Sequence, residues 1–245
     1  MIVNKIKDGY VIIYQAAHGL LASKIASHLD KALRPKNWLD LQQAVNYHDD
    51  LQLSFSEKNH LSKNGIPLDF TNNKDQITDL ITRMDRLTQQ ALRKSGLIFL
   101  MTIEHLNFLN QSRIPKSKML RNFFEQQKVL QQEMMNIYQL TKDDVLEKYE
   151  LLRFCDRLSL ILCKNEIPVM GRELEVNTSI DGKKYFISGR KNGSLTVKPW
   201  IFEKEKFVLN IETRILNQAN FKSESYFKNC IENALPVIQK FHFVK

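Results

Sequence analysis

The sequence predicts an α+β protein, with about six helices packed as a bundle, a short hairpin ahead of them and an antiparallel β meander behind. Three observations predict it. Only 8 glycines and 6 prolines occur in 245 residues, which favours long helices over loop-rich structure. Apolar residues recur at helical spacing between residues 16 and 163. After Pro168 short runs of β-formers alternate with turn pairs. The change divides the chain into a helical region with its hairpin, 1–168, and a β region with one helix, 169–245. The latter is either a small second domain or a layer of the first.

Met1 to Tyr14 reads as the hairpin, with Ile2-Val3 and Val11-Ile12-Ile13 flanking the turn Lys7-Asp8-Gly9. A first helix, about 16–29, carries the stripe His18, Leu21, Ala22, Ile25, Leu29. A second opens at Asn37 as N-cap with Asp40 three residues on, a variant capping box, and carries Trp38, Leu41, Val45, His48. Residues 56–74 are polar, hold Gly65 and Pro67, and form a loop long enough to do functional work. Helix three, about Asp75 to Lys94, shows Ile77, Leu80, Ile81, Met84, Leu87, Ala91. Helix four, about Gly96 to Asn110, is apolar nearly all round and belongs in the core. Helix five runs from Pro115 to about Leu140, and helix six from the box Thr141/Asp144 to Cys163.

In the β region Asp181-Gly182 and Asn192-Gly193 suit tight hairpins, since both positions tolerate positive φ. The runs 173–177, 184–188, 194–197 and 207–215 give the meander of roughly four strands; a helix near 223–234 and an extended run, 237–244, close the chain.

Bulk properties set the class. Hydrophobic content of 43% and charged content of 26% suit a globular core. No window approaches the ~18 apolar residues of a spanning helix, and Met1 to Tyr14 does not read as a signal peptide. Cys155, Cys163 and Cys230 are odd in number and set in apolar patterns, which points to reduced thiols in the cytoplasm. The formal charge of +9 favours anionic partners, a phosphorylated small molecule or nucleotide ahead of nucleic acid. There is no glycine-rich phosphate loop, Gly-x-Ser-x-Gly elbow, Cys-x-x-Cys pair or dinucleotide fingerprint, which argues against kinase, serine hydrolase, zinc ribbon and dehydrogenase.

The chemistry-bearing residues lie on the apolar stripes. His18 precedes Leu21 and Ala22, His48 follows Ala44 and Val45, and Asp156 lies four residues from both Leu152 and Leu160. Three helices each aim one polar group inward, with Asp49 beside one of them. Buried carboxylates are costly unless paired or metal-bound. A divalent cation held by His18, His48, Asp49 and Asp156 satisfies all four; the bland alternative is a metal-free ion-pair network. Mixed N/O ligands suit Mn, Fe, Ni, Co or Zn better than Mg.

The order His, then His-Asp 30 residues on, then Asp 107 further, resembles the HD superfamily of metal-dependent phosphohydrolases. Cys155-Asp156-Arg157-Leu158-Ser159 is similar to the segment carrying that superfamily's last aspartate. More closely, the chain resembles an uncharacterised bacterial family with an HD-like core, known only as a domain of unknown function. The matching stretches are Met1-Ile2-Val3, Gln15-Ala16-Ala17-His18, His48-Asp49-Asp50, Gly65-Ile66-Pro67-Leu68-Asp69-Phe70, Asp156-Arg157-Leu158-Ser159-Leu160 and Lys198-Pro199-Trp200-Ile201-Phe202. Leu51 and Gln52 stand where the family often carries Gly and Trp. The resemblance implies an HD-like, all-helical core with His18, His48, Asp49 and Asp156 as ligands, and it implies no reaction.

Around this site, His105 is a candidate for an added ligand or general base, or else a satisfied core histidine. Asp49 is the candidate for positioning water. Arg157, Arg113 and Lys116 are candidate phosphate contacts; Arg157 reads equally as a surface pair, and Arg113, Lys116, Lys118 and Arg121 form a basic cluster that reads first as a solvated charged face. Asp50 is either an orienting group or a solvated charge, and His60 either caps the pocket or is exposed. Trp200 and Phe202 read as anchors between sheet and helices. The expected function is metal-dependent hydrolysis of a phosphate ester or nucleotide. The alternative is a catalytically silent HD-like domain that binds a nucleotide, nucleic acid or protein.

Overall fold

The computed structural model of the protein describes residues 1–52, 54–72 and 76–245, side chains of 177–179 aside. The amino-terminal hairpin pairs β1 (Ile2–Ile6) with β2 (Gly9–Ile13). Six helices follow: α1 (Gln15–His28), α2 (Trp38–Tyr47), α3 (Ile77–Lys94), α4 (Gly96–Asn110), α5 (Lys118–Tyr138) and α6 (Lys142–Cys163). Then come β3 (Leu174–Ile180), β4 (Lys183–Gly189), β5 (Leu195–Lys198), β6 (Lys206–Leu216), α7 (Glu224–Asn233) and β7 (Pro236–Val244). The expected helix start at Asp75 and the loop residues 73 and 74 lie outside the described residues.

All seven strands join one mixed sheet in the order β1-β2-β6-β7-β5-β4-β3. This overturns the expected bundle with a separate hairpin and a C-terminal meander. The hairpin is an edge of the same sheet, through Tyr10↔Leu216 and its neighbours. The last strand enters the middle, antiparallel to β6 and parallel to β5 at Leu195↔Phe243. An all-helical core is overturned with it, because Ile2, Ile13, Leu209 and Phe243 belong to the same buried cluster as the helices. Local alternation reveals each strand but not its partner; β6 alternates buried and exposed along most of its length, and only tertiary packing selects β2 and β7 as its neighbours.

Local signals explain most element ends. Thr141 and Asp144 form both bonds of a capping box. Asn37 makes no capping bond; its expected partner Asp40 instead accepts from the Ser95 hydroxyl at 3.3 Å. Helix five is shorter than expected, since Ile114–Lys116 forms a 3-10 turn and Ser117 caps the helix proper. Asp181 and Gly182 take φ of 51° and 69°, which closes the β3–β4 turn.

Helices α1 and α6 pack against one face of the sheet, and α2 to α5 stack on them. Helix α4 lies at their centre, buried from Leu97 to Ile103, and packs on α2, α3, α5 and α6. Phe202 ties the layers together: its ring meets Phe154 of α6 and Phe207 and Phe243 of the sheet, and its backbone bridges to Leu29. Trp200 packs edge-on against the same ring. On the opposite face α7 and the 54–70 loop enclose a second cluster of Tyr10, Ile12, Leu216, Phe221, Phe227 and Ile231.

One close approach positions the site. A Cβ on Gly19 would lie 2.3 Å from the Asn46 carbonyl oxygen, so α1 and α2 touch backbone to backbone there. The neighbouring residues, His18 and Tyr47–His48, are thereby held against each other. No helix among the described residues is long and apolar enough to cross a membrane.

Candidate metal centre

His18 lies on the buried face of α1, His48 caps α2, and Asp156 sits on α6. Their ligand atoms converge. His18 Nε2 is 3.2 Å from His48 Nε2 and 3.1 Å from Asp156 Oδ1, and His48 Nε2 is 3.2 Å from the same oxygen. Asp49 Oδ2 is 3.9 Å from His18 Nε2. Both imidazoles are inaccessible to solvent.

The outer nitrogens fix both tautomers. The His48 Nδ1–H donates to the Val45 carbonyl at 2.6 Å. The Ser159 hydroxyl donates to the Asp156 carbonyl at 2.8 Å, so its oxygen accepts from His18 Nδ1–H at 2.9 Å. Each ring therefore turns an Nε2 lone pair inward. Two lone pairs and a carboxylate oxygen meet at hydrogen-bond distance, an arrangement that requires a proton or a cation between them.

Without an ion the centre holds a proton. Burial presses the His48 imidazolium down, but Asp156, Asp49 and the Val45 carbonyl raise it to about 9. Burial raises Asp49, yet His48, Arg83 and His18 bring it down to about 2. Asp156 is opposed by burial in the same way and is held well below the usual carboxylate range by both histidines. His105 is the opposite case. Burial, then the charge of His48, pushes it down to about 4, so the ring is neutral.

Two groups among the described residues could hold a metal ion: His18, His48 and Asp49, and His48, His105 and Asp156. They share His48, whose Nδ1 is already committed, so both groups describe one centre. The donor set fits a divalent ion: imidazole nitrogens with fixed tautomers, ionised carboxylates, and hydrogen-bonded support behind each ring. His105 borders the centre, with its ring edge-on to His48 at 4.9 Å and its Nδ1 3.2 Å from the Tyr149 hydroxyl.

Other candidates separate. Arg157 is exposed and lines a cavity of about 370 Å³ with Asp156, Arg153 and Glu175. Arg153 is engaged there, over the Phe108 ring and 2.6 Å from Glu150. Arg113 and Lys116 are exposed in the turn between α4 and α5, and neither lines a described cavity that contains a site residue. Asp50 is half-buried beside Asp49. His60 is buried, with its ring against Phe55 and Nδ1 unpartnered. Leu51 adopts φ 55°, a left-handed conformation that suits the glycine often found in the resembling family.

Sequence reasoning missed Arg83, Gln15 and Ser159. Arg83 Nη2 donates to Asp49 Oδ1 at 2.9 Å, and Gln15 Nε2 donates to Asp49 Oδ2 at 3.1 Å. Arg83 carried a readable signal, because it lies three residues after Leu80 and four before Leu87 on a buried stripe. Gln15 and Ser159 are uncharged and carry no local signal of their roles, which lie in contacts with Asp49 and His18 on other elements.

The family model described as "Protein of unknown function (DUF3891)" matches residues 1–218. The chain belongs to that family. No curated protein matches the DUF3891 chain, and no solved structure does. Nothing in these comparisons links it to the HD superfamily.

Proposed function

We propose that the chain is a metal-dependent phosphohydrolase acting on a phosphate ester or nucleotide. The observation that carries the reading is the convergence of His18 Nε2, His48 Nε2 and Asp156 Oδ1 within 3.2 Å, with both outer nitrogens already bonded. His18, His48, Asp49 and Asp156 would hold a divalent ion, with Mn, Fe, Ni, Co or Zn favoured over Mg by the imidazoles. Such an ion, when bound, supplies Lewis acidity to a phosphoryl oxygen and acidifies water. His105, whose ring stands edge-on to His48 at 4.9 Å, would be the group to carry a proton between water and the leaving alkoxide. Arg157, exposed beside Asp156 and without an ion pair among the described residues, would be the contact for a phosphate oxygen.

Protein purified without chelator should contain about one divalent ion per chain by elemental analysis. A panel of phosphate esters and nucleotides should reveal turnover that chelation abolishes and Asp156→Asn removes without unfolding the chain. Absence of any bound divalent ion, with stability unaltered in Asp156→Asn and His18→Ala, sinks the reading.

A silent binding domain is the second reading, and one observation favours it. Both oxygens of Asp49 are engaged, by Arg83 and Gln15, which leaves the carboxylate less free to position water. Bound metal with no turnover across the panel would select it.

A further inference from the structure

A cavity of about 940 Å³ opens at the β4–β5 hairpin, between it and the segment 169–171. It lies within the usual range of ligand pockets, about 300–1,000 Å³. None of the metal centre's residues lines it. Strand alternation dictates its lining. Ile187, Leu195 and Val197 turn into the main core, so Ser188, Thr196 and Lys198 turn to the other face. Ser188 and Thr196 stand directly opposite each other in the antiparallel register. The segment 167–169 is tied to this edge: the Gly189 N–H donates to the Pro168 carbonyl at 2.9 Å, and a Cβ on Gly189 would sit 3.3 Å from Ile167 Cγ2.

Two features of this lining select an anion. The first is its charge. Arg190, Lys191 and Lys198 stand against the single acid Glu173, and Arg190 and Lys191 have no ion pair among the described residues. Lys198 meets Glu173 at 3.1 Å with both side chains open to solvent, a pairing weak enough to be exchanged. The second feature is the hydroxyl pair. Ser188 and Thr196 are each at least nine-tenths buried, line the cavity and make no side-chain hydrogen bond among the described residues. A shielded hydroxyl without a partner is stabilised by an incoming acceptor. A solvated lysine face would explain the charges and leave these hydroxyls unanswered. Val169 and Met170, 53% and 93% exposed, line the same space. Exposed apolar side chains beside cations fit a ligand with an anionic head and an apolar body.

We propose that this cavity binds a phosphate monoester with an aliphatic organic portion, at a site separate from the metal centre. Arg190 and Lys191 neutralise the phosphate, the Ser188 and Thr196 hydroxyls donate to its oxygens, and Val169 and Met170 cover the organic portion. A phosphate dianion balances the lining, whose three cations less one acid leave two positive charges. Neither metal nor turnover enters the proposal.

The test is an NMR titration of the purified chain with hexylphosphonate, whose C–P bond resists hydrolysis. Amide signals of Gly171, Gly189 and Lys191 should move. Half-saturation should come at about tenfold lower concentration than with methylphosphonate, because the added methylenes are buried. Thr196→Val removes the hydroxyl at nearly equal volume, and Arg190→Gln removes the charge; each should weaken hexylphosphonate binding about tenfold. Prior dialysis against a chelator should leave the titration unchanged. Unmoved signals at the three residues overturn the proposal. Equal half-saturation for the two phosphonates does so too, as does binding that survives both substitutions. Shifts that vanish with the metal would put the ligand at the metal centre and overturn it as well. A chain that holds no metal and turns over no ester sinks the phosphohydrolase reading alone, and the same titration still judges this one.

Discussion

Arg83 Nη2 lies 2.9 Å from Asp49 Oδ1, and each side chain is only 13% exposed. The pair places a cation of α3 against the carboxylate next to His48. A buried charge stripped of its partner is strongly destabilising, by about 3 kcal/mol or more. Arg83→Leu should therefore lower the stability of the metal-free chain by about 3 kcal/mol in urea denaturation. A bound divalent ion would compensate Asp49, so the loss should shrink when metal is present. An equal loss with and without metal would show that Asp49 does not share the ion.

The charge state of the metal-free centre sets a pH dependence. His48 is raised from 6.5 to about 9, so on folding it retains a proton that the unfolded chain releases sooner. Its contribution to stability is complete below pH 6.5 and disappears as pH rises through about 9. Asp49, lowered from 3.8 to about 2, contributes above pH 3.8 and stops doing so as pH falls through about 2. A metal ion must displace the His48 proton. Its apparent affinity should thus climb about tenfold per pH unit from pH 6.5 toward 9 and then level off. Competition titration with a chelator of known affinity at several pH values measures the slope; a flat profile would exclude His48 as a ligand.

Gly19 is the contact point of α1 and α2. Added Cβ atoms meet backbone there, 2.3 Å from the Asn46 carbonyl, and no side-chain rotation can relieve the clash. Gly19→Ala should cost about 1–3 kcal/mol despite the better helix propensity of alanine. It should also weaken metal binding, because the displaced helices carry His18 and His48. Unchanged stability and unchanged metal affinity would together mean that the two helices do not meet this closely in solution.

The helices and the site were more legible than the sheet, and the reason is physical. Stripes of period 3.6 are local, so His18, His48 and Asp156 declared their inward faces within a few residues of chain. Strand partnership is not local. Val11 pairs with Ile215 and Phe207 with Phe243, and neither residue carries a mark of its partner. A meander is the simplest order for consecutive strands, whereas β7 returns after α7 to pair between β6 and β5. Arg83 lies between Leu80 and Leu87 on the buried stripe of α3, a local sign that it turns inward, but its partner Asp49 is on another element. Gln15 and Ser159 act only through neighbours on other elements, a relationship that becomes visible once α1 and α6 are packed together.

Ser159 gives the sharpest test of the tautomer argument. Its hydroxyl hydrogen is spent on the Asp156 carbonyl, so only its oxygen faces His18, and His18 must donate through Nδ1. Removing the hydroxyl leaves that Nδ1 hydrogen buried without an acceptor, and the ring gains by moving its proton to Nε2, the atom meant to bind the ion. Ser159→Ala should reduce metal affinity about 10–100-fold, the usual effect of losing a group that supports a ligand histidine. Ser159→Thr keeps the hydroxyl and should recover most of that affinity. Fold integrity is read separately by circular dichroism, since Ser159 is fully buried. If alanine and threonine bind metal alike, the hydroxyl does not set the His18 tautomer, and the inward lone pair must be held by something else.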